Sequence, residues 1–128
     1  HIAPRVVYLY TMSLLADIQQ KSQTYSQQTV QLRRHLHANP ELSYQEHKTA
    51  RYVADTLTQF GLQPVEGIAD TGVVVLIEGK NPSKKVVALR ADMDALPIVE
   101  QNEVPYKSTT PGVMHACGHD VHTSSLLA

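Results

Sequence analysis

Hydrophobic periodicity changes character at Gly61, and that change limits the folds open to this chain more than any other feature. Before Gly61 the apolar residues recur at helical spacing; after it they gather into short β-branched runs. The spacing predicts a helix from about Tyr25 to His37, ended by Asn39-Pro40 because the residue before proline avoids the helical region. Ser43-Tyr44-Gln45-Glu46 has the form of a capping box. Behind it, Ala50, Val53, Ala54, Leu57 and Phe60 share one face of a second helix, with Gly61 at its carboxyl-terminal cap. Val73–Ile77 and Val86–Leu89 are apolar at every position and are parted by the turn-forming Gly79–Ser83. Such runs predict strands buried on both faces, with Leu62–Val65 as an edge strand. A last helix begins at His119. Helices, then strands, then a helix specify an α/β fold of helix–sheet–helix layers.

The 128 residues have the length of one domain, and a net charge of -1 gives no basic or acidic excess. Neither nucleic acid nor a membrane surface is therefore expected as a partner. Val6–Tyr10 is too short to span a bilayer, and its surroundings make a poor signal peptide. Met12-Ser13 reads as a native start, so residues 1–11 are expected to be a non-native leader. One cysteine excludes an internal disulfide framework, which fits a reducing cytoplasm. Thr123–Ala128 begins an amphipathic helix and stops on Leu126-Leu127-Ala128, apolar residues that need packing partners. We therefore expect the chain to be truncated inside an element.

The chemistry concentrates near the carboxyl end. Met114-His115-Ala116-Cys117-Gly118-His119-Asp120-Val121-His122 holds the only cysteine and three of the seven histidines. With one residue between them, Cys117 and His119 can aim a thiolate and an imidazole at one point, the ligand types zinc prefers. The competing readings of Cys117 are a small buried hydrophobe and a nucleophile paired with a histidine. His115 and His122 are open between donors behind a ligand, substrate contacts and solvated loop residues. Asp120 either caps the helix starting here or orients a ligand histidine. Upstream, Arg90-Ala91-Asp92-Met93-Asp94 follows an expected strand. At alternate positions Asp92 and Asp94 point to the same side, toward one ion or ligand histidine; the alternative is a cap or a bridge with Arg90. His35 and His37, at the polar end of a helix, read as surface residues.

Two stretches, RADMDALP at Arg90–Pro97 and MHACGHDVH at Met114–His122, resemble the signature of the zinc-type amidohydrolases of the aminoacylase and carboxypeptidase metallopeptidase clan. The resemblance is to the branch with hippurate hydrolases, N-acyl-amino-acid amidohydrolases and indole-acetyl-amino-acid hydrolases. Leu32–Glu41 and Gly72 support it, and it runs from about Val30 to Ala128. It implies that residues 12–128 are the amino-terminal part of the catalytic domain of a di-metal hydrolase. Cys117 and His119 would be its first two metal ligands, with Asp94 supporting the site by hydrogen bonds and Asp92, Asp120, His122 and His115 as further candidates for that support. It further implies two divalent metal ions, zinc first and manganese, cobalt or nickel as alternatives, and N-acyl amino acids or small N-capped peptides as substrates. The family's general-base glutamate, its other ligands and a ferredoxin-like second domain, which serves dimerisation, are expected after this chain ends. A homodimer or homotetramer is the oligomer implied for the complete enzyme. The rival readings are a non-catalytic chain that only binds metal or a partner, and a thiol hydrolase built on Cys117.

Overall fold

The computed structural model describes residues 13–128, so the expected leader at residues 1–11 lies outside the described residues. The elements, in chain order, are α1 (Leu14–Ala38), α2 (His47–Gln59), β1 (Val65–Ile68), β2 (Gly72–Val74) and α3 (His119–Leu127). α1 begins well before the expected Tyr25. Ser13 caps it, its Oγ accepting from the N–H of Ala16 at 3.2 Å. The Gln/Ser/Thr-rich stretch continues the helix, its threonine hydroxyls bonding back to carbonyls of the preceding turn. Thr24 Oγ1 donates to Gln20 O and Thr29 Oγ1 to Tyr25 O, each at 2.9 Å. Leu32 and Leu36, one turn apart, bury the inner face.

α2 starts at His47, and the expected capping box is not used. Tyr44 turns into the left-handed region at φ 60, and Glu46 makes no capping bond. The Glu46 carboxylate accepts instead from Thr71 Oγ1 at 2.8 Å, tying α2 to the turn between β1 and β2. Glu41 takes over the cap: its Oε2 accepts from the Thr49 N–H at 2.7 Å and its Oε1 from that of Lys48 at 3.3 Å. A carboxylate there also suits the positive end of the helix dipole. The other end closes as the sequence predicts. Gly61 sits at φ +80, its N–H donates to Thr58 O at 2.9 Å, and the Leu62 N–H donates to Leu57 O at 3.1 Å. That is a Schellman cap. Ala50, Val53 and Ala54 are buried, but Phe60, expected on the same face, is exposed.

The strands differ most from expectation. β1 and β2 form an antiparallel hairpin in which Val65 faces Val74 and Ile68 faces Gly72. A Cβ on Gly72 would lie 2.4 Å from the Ile68 carbonyl oxygen, so only glycine fits this crossing. Leu62–Val65 is displaced along the chain to Val65–Ile68, and pairing on the second strand stops at Val74. The rest of Val73–Ile77 and all of Val86–Leu89 are neither strands nor buried: Leu76 is 76% exposed and Val86 is 80% exposed. Strands covered on both faces need hydrogen-bonded neighbours on each side and helices above and below. Among the described residues, one hairpin partner is all the sheet contains.

The extended segment beyond Leu89 is anchored at its far end. The Ala95 N–H donates to Glu41 O at 2.7 Å, and Leu96 exchanges two backbone hydrogen bonds with Met114 at 2.9 and 3.0 Å. This brings residues 92–96 alongside the turn that enters α3.

α3 rests on α1 over a buried polar network, which overturns the surface reading of His37. His37 is only 3% exposed. Its Nδ1 lies 2.7 Å from Asp120 Oδ2 and its Nε2 lies 3.0 Å from Glu100 Oε1. Arg33, one turn earlier, sets its Nε 2.9 Å from the same Asp120 oxygen, an ion pair whose N–H is not aligned as a hydrogen bond. His35 is exposed, as expected, and stacks on Tyr52 with ring centroids 3.8 Å apart.

Burial alone would raise the Glu100 pKa, but hydrogen bonds from the Ser108 N–H, His37 and the Asn102 amide outweigh it and hold the group at about 2, against an ordinary 4.5. A carboxyl with a depressed pKa stabilises the fold above its unfolded value, and that contribution disappears as pH falls through the folded one. Stability against denaturant is therefore expected to drop between about pH 4.5 and about pH 2. Glu100→Gln should flatten that part of the profile, whereas an unchanged acid slope in the variant would detach Glu100 from acid stability.

Candidate metal centre

Two stretches meet at the site. One is the extended segment carrying Asp92 and Asp94; the other is the first turn of α3. There the Gly118 carbonyl accepts from the N–H groups of Val121 and His122 at 3.0 and 2.9 Å, setting His119 and His122 on one helix face. Their ring centroids are 5.7 Å apart. Thr123 Oγ1 donates to the Asp92 carbonyl at 2.7 Å and fastens helix to segment.

His119 is the centre of the arrangement. Its Nδ1 faces two acceptors, the backbone oxygen and Oδ1 of Asp94, each at 2.9 Å. A nitrogen facing two acceptors carries the proton, which leaves the lone pair of a neutral ring on Nε2. Nε2 in turn lies 3.5 Å from Asp92 Oδ2. Asp92 Oδ1 accepts from His122 Nδ1 at 2.8 Å. That hydrogen bond is the main force holding the Asp92 carboxyl below the usual carboxylate range; desolvation pulls it up, and the charges of His119 and His122 add to the lowering. An ionised carboxylate oxygen and an imidazole nitrogen thus face each other across this gap.

The gap has the dimensions of a cation site. Two donors at about 2.1 Å from a tetrahedral zinc are about 3.4 Å apart, and the observed separation is 3.5 Å. Asp92, His119 and His122 each place one donor atom within 4.8 Å of the others, the one such group among the described residues. The Asp94–His119 contact is the carboxylate–histidine pairing that fixes a metal ligand's tautomer and ring angle. The donor set fits a divalent cation.

The remaining candidates divide. Asp92 and Asp94 both reach His119, one at each ring nitrogen; Asp92 also bridges to Arg90, Nη1 to Oδ2 at 3.2 Å, the alternative named for these carboxylates. Cys117 is exposed on the turn into α3 and stands outside the compact group. Asp120 is buried and faces the other way. Its Oδ1 accepts from the Val121 N–H at 3.0 Å while Oδ2 meets His37, so the histidine it orients is on α1. His115 is buried with neither ring nitrogen partnered among the described residues. Burial lowers its pKa, and Asp120 and Asp94 pull it back only in part. Sequence reasoning missed His37 and Glu100 as supports of this region. The available signal was the placement of Arg33 and His37 one turn apart, each beside a buried leucine of α1.

Residues 88–128 match Peptidase family M20/M25/M40. The chain is 56% identical over 95 residues to an N-acyl-L-amino acid amidohydrolase of Geobacillus stearothermophilus, a match covering 74% of this chain and 25% of that protein. It is 54% identical over 99 residues to thermostable carboxypeptidase 2 of Saccharolobus solfataricus, covering 77% of this chain and 25% of that one. Its structure resembles that of the YXEP protein of Bacillus subtilis, a dinuclear metal binding peptidase of the M20 family. There the TM-score is 0.74 and the identity 39%, over 82% of this chain and 29% of that one. The chain spans about a quarter of the length of the curated relatives it matches.

Proposed function

This chain belongs to peptidase family M20/M25/M40, and from that premise we propose that it forms part of a metal-dependent hydrolase cleaving the amide bond of N-acyl amino acids or small N-capped peptides. The setting of His119 carries the reading: Nδ1 is fixed by Asp94, and Nε2 faces the Asp92 carboxylate at 3.5 Å. We assign the complete site two divalent cations, in line with the dinuclear Bacillus relative, and take zinc as the ion because the donors are two imidazoles and a carboxylate. Such ions polarise a carbonyl and acidify bound water.

The chain's own residues then have distinct tasks. His119 would offer its Nε2 lone pair and Asp92 its charge; Cys117, two residues before His119 in the sequence, would add a thiolate as the family resemblance implies. Asp94 keeps the proton on His119 Nδ1 and the ring at its angle. His122 holds Asp92 in place. Both carboxylates are committed to histidines, so neither is free to take a proton from water, and we assign the general base to a residue outside the described ones. The thiol-hydrolase alternative lacks its base, because Cys117 has no hydrogen bond to an imidazole among the described residues. We place the protein in the cytoplasm, where a lone ligand thiol stays reduced. No described helix is long and apolar enough to cross a membrane.

Asp94→Asn tests the reading, since it keeps the side chain's shape and removes its charge. Losing such a supporting partner typically costs about ten- to a hundred-fold in affinity or activity. We expect a metal-loaded, slow protein with a melting temperature close to that of the parent. Lowered stability with full turnover per folded molecule would make Asp94 a structural residue and take away the observation on which the reading rests.

A further inference from the structure

We propose that His37 is a positioning residue for the metal-binding face, a clamp that holds the two donor-bearing segments in register from behind. The inference rests on the metal reading above and adds to it a residue on α1 that touches none of the donors. One imidazole reaches both segments. Through Nδ1 it meets Asp120 at 2.7 Å, next to His119 in the first turn of α3. Through Nε2 it meets Glu100 at 3.0 Å, on the stretch that continues from Asp92 and Asp94. Glu100 is itself fixed, its second oxygen accepting from the Ser108 N–H at 2.6 Å and its first from the Asn102 amide at 3.2 Å. Between Asp94 and Glu100 the chain is pinned by the Ala95–Glu41 and Leu96–Met114 backbone bonds. Displacement of Asp120 moves its neighbour His119 directly, and Glu100 holds the far end of the same anchored segment.

The opposite side of α3 explains why a rear anchor matters. His119 and His122 project toward Asp94 and Asp92, whereas Asp120 projects toward α1. With Cα atoms about 2.3 Å from the axis and an imidazole tip several ångströms further out, a 10° rotation of the helix moves the tip by about 1 Å. A binding constellation tolerates only about 0.5 Å. In front, His119 and Thr123 tie α3 to backbone oxygens of Asp94 and Asp92 at 2.9 and 2.7 Å, and the contacts of His37 supply the second anchor, behind the helix. Arg33 also holds Asp120, at 2.9 Å, but makes no hydrogen bond or ion pair to Glu100. Among the described residues, His37 is the one side chain hydrogen-bonded to both Asp120 and Glu100.

The test measures the affinity of the full-length protein for zinc ion, by competition with a chelator, in His37→Gln, His119→Ala and Leu36→Ala. His37→Gln retains a polar group but cannot hold two carboxylates on opposite sides, and its zinc affinity is expected to fall at least tenfold. Leu36→Ala removes a neighbouring buried side chain and should lower the melting temperature while folded molecules keep their affinity; a purely structural His37 would behave like it. Parental affinity in a folded His37→Gln, with zinc lost from His119→Ala, overturns the clamp alone. Parental affinity in both overturns the metal reading together with it. If His37→Gln does not fold, Asp120→Asn takes its place, with the same tenfold loss expected and unchanged affinity overturning the role. If neither folds, the network is a folding element and the positioning role falls.

Discussion

Replacing His119 by alanine is expected to strip tightly held metal from the protein and bring turnover on an N-acyl amino acid close to background. No other described group offers a lone pair so constrained: Asp94 holds the proton on Nδ1 at 2.9 Å, and Nε2 looks across 3.5 Å at an ionised Asp92. Alanine removes the donor and leaves Asp92 with His122 as its sole imidazole partner in the compact group. Cys117→Ser should act in the same direction, because a neutral hydroxyl is a poor substitute for a thiolate at a borderline-soft ion. Metal content by mass spectrometry, read beside turnover on the same preparation, separates the possibilities. Full metal occupancy with lost activity in Cys117→Ser would favour a thiol nucleophile. Full occupancy in His119→Ala would end the assignment of this site.

His37→Ala is the second large effect, and it follows from the burial that replaces the surface position expected from the sequence. Glu100 and Asp120 each have side chains 2% exposed, and His37 stands between them. Removing it leaves two buried carboxylates with part of their hydrogen bonding gone and a hole where the ring stood. Leaving a buried acceptor without its hydrogen-bond partner costs about 1–3 kcal/mol, and more for a charged one, a large share of a typical folding stability of about 5–15 kcal/mol. We expect the denaturation midpoint of His37→Ala to fall far below that of His35→Ala, whose ring lies on the surface. Equal midpoints for the two variants would mean that the network contributes nothing to stability.

These contrasts show what the sequence makes legible. Gly61 was readable because a Schellman cap is local: a left-handed residue and two hydrogen bonds within five positions. The support that Asp94 gives the site was implied by the family resemblance and not by a local rule, since Asp94 and His119 lie 25 residues apart. The capping box failed because Glu41, outside the pattern, competes better for the first N–H groups of α2. His37 failed for a different reason. Its helix position is polar by composition, and its burial is decided by partners 63 and 83 residues away, beyond the reach of any local pattern. The apolar runs at Val73–Ile77 and Val86–Leu89 signal burial that requires neighbours on both sides, and a periodicity argument says nothing about who supplies them.

The central claim is that the face formed by Asp92, His119 and His122, with Asp94 behind it, binds a divalent cation. Anomalous diffraction collected on either side of the zinc edge, from crystals of the full-length protein grown with zinc ion, tests it most directly. The expected result is an edge-specific peak at about 2.0–2.1 Å from His119 Nε2, with His119 Nδ1 still bonded to Asp94. An ordered site with no such peak, or with His119 turned so that Nδ1 faces the metal and Asp94 is released, would contradict it.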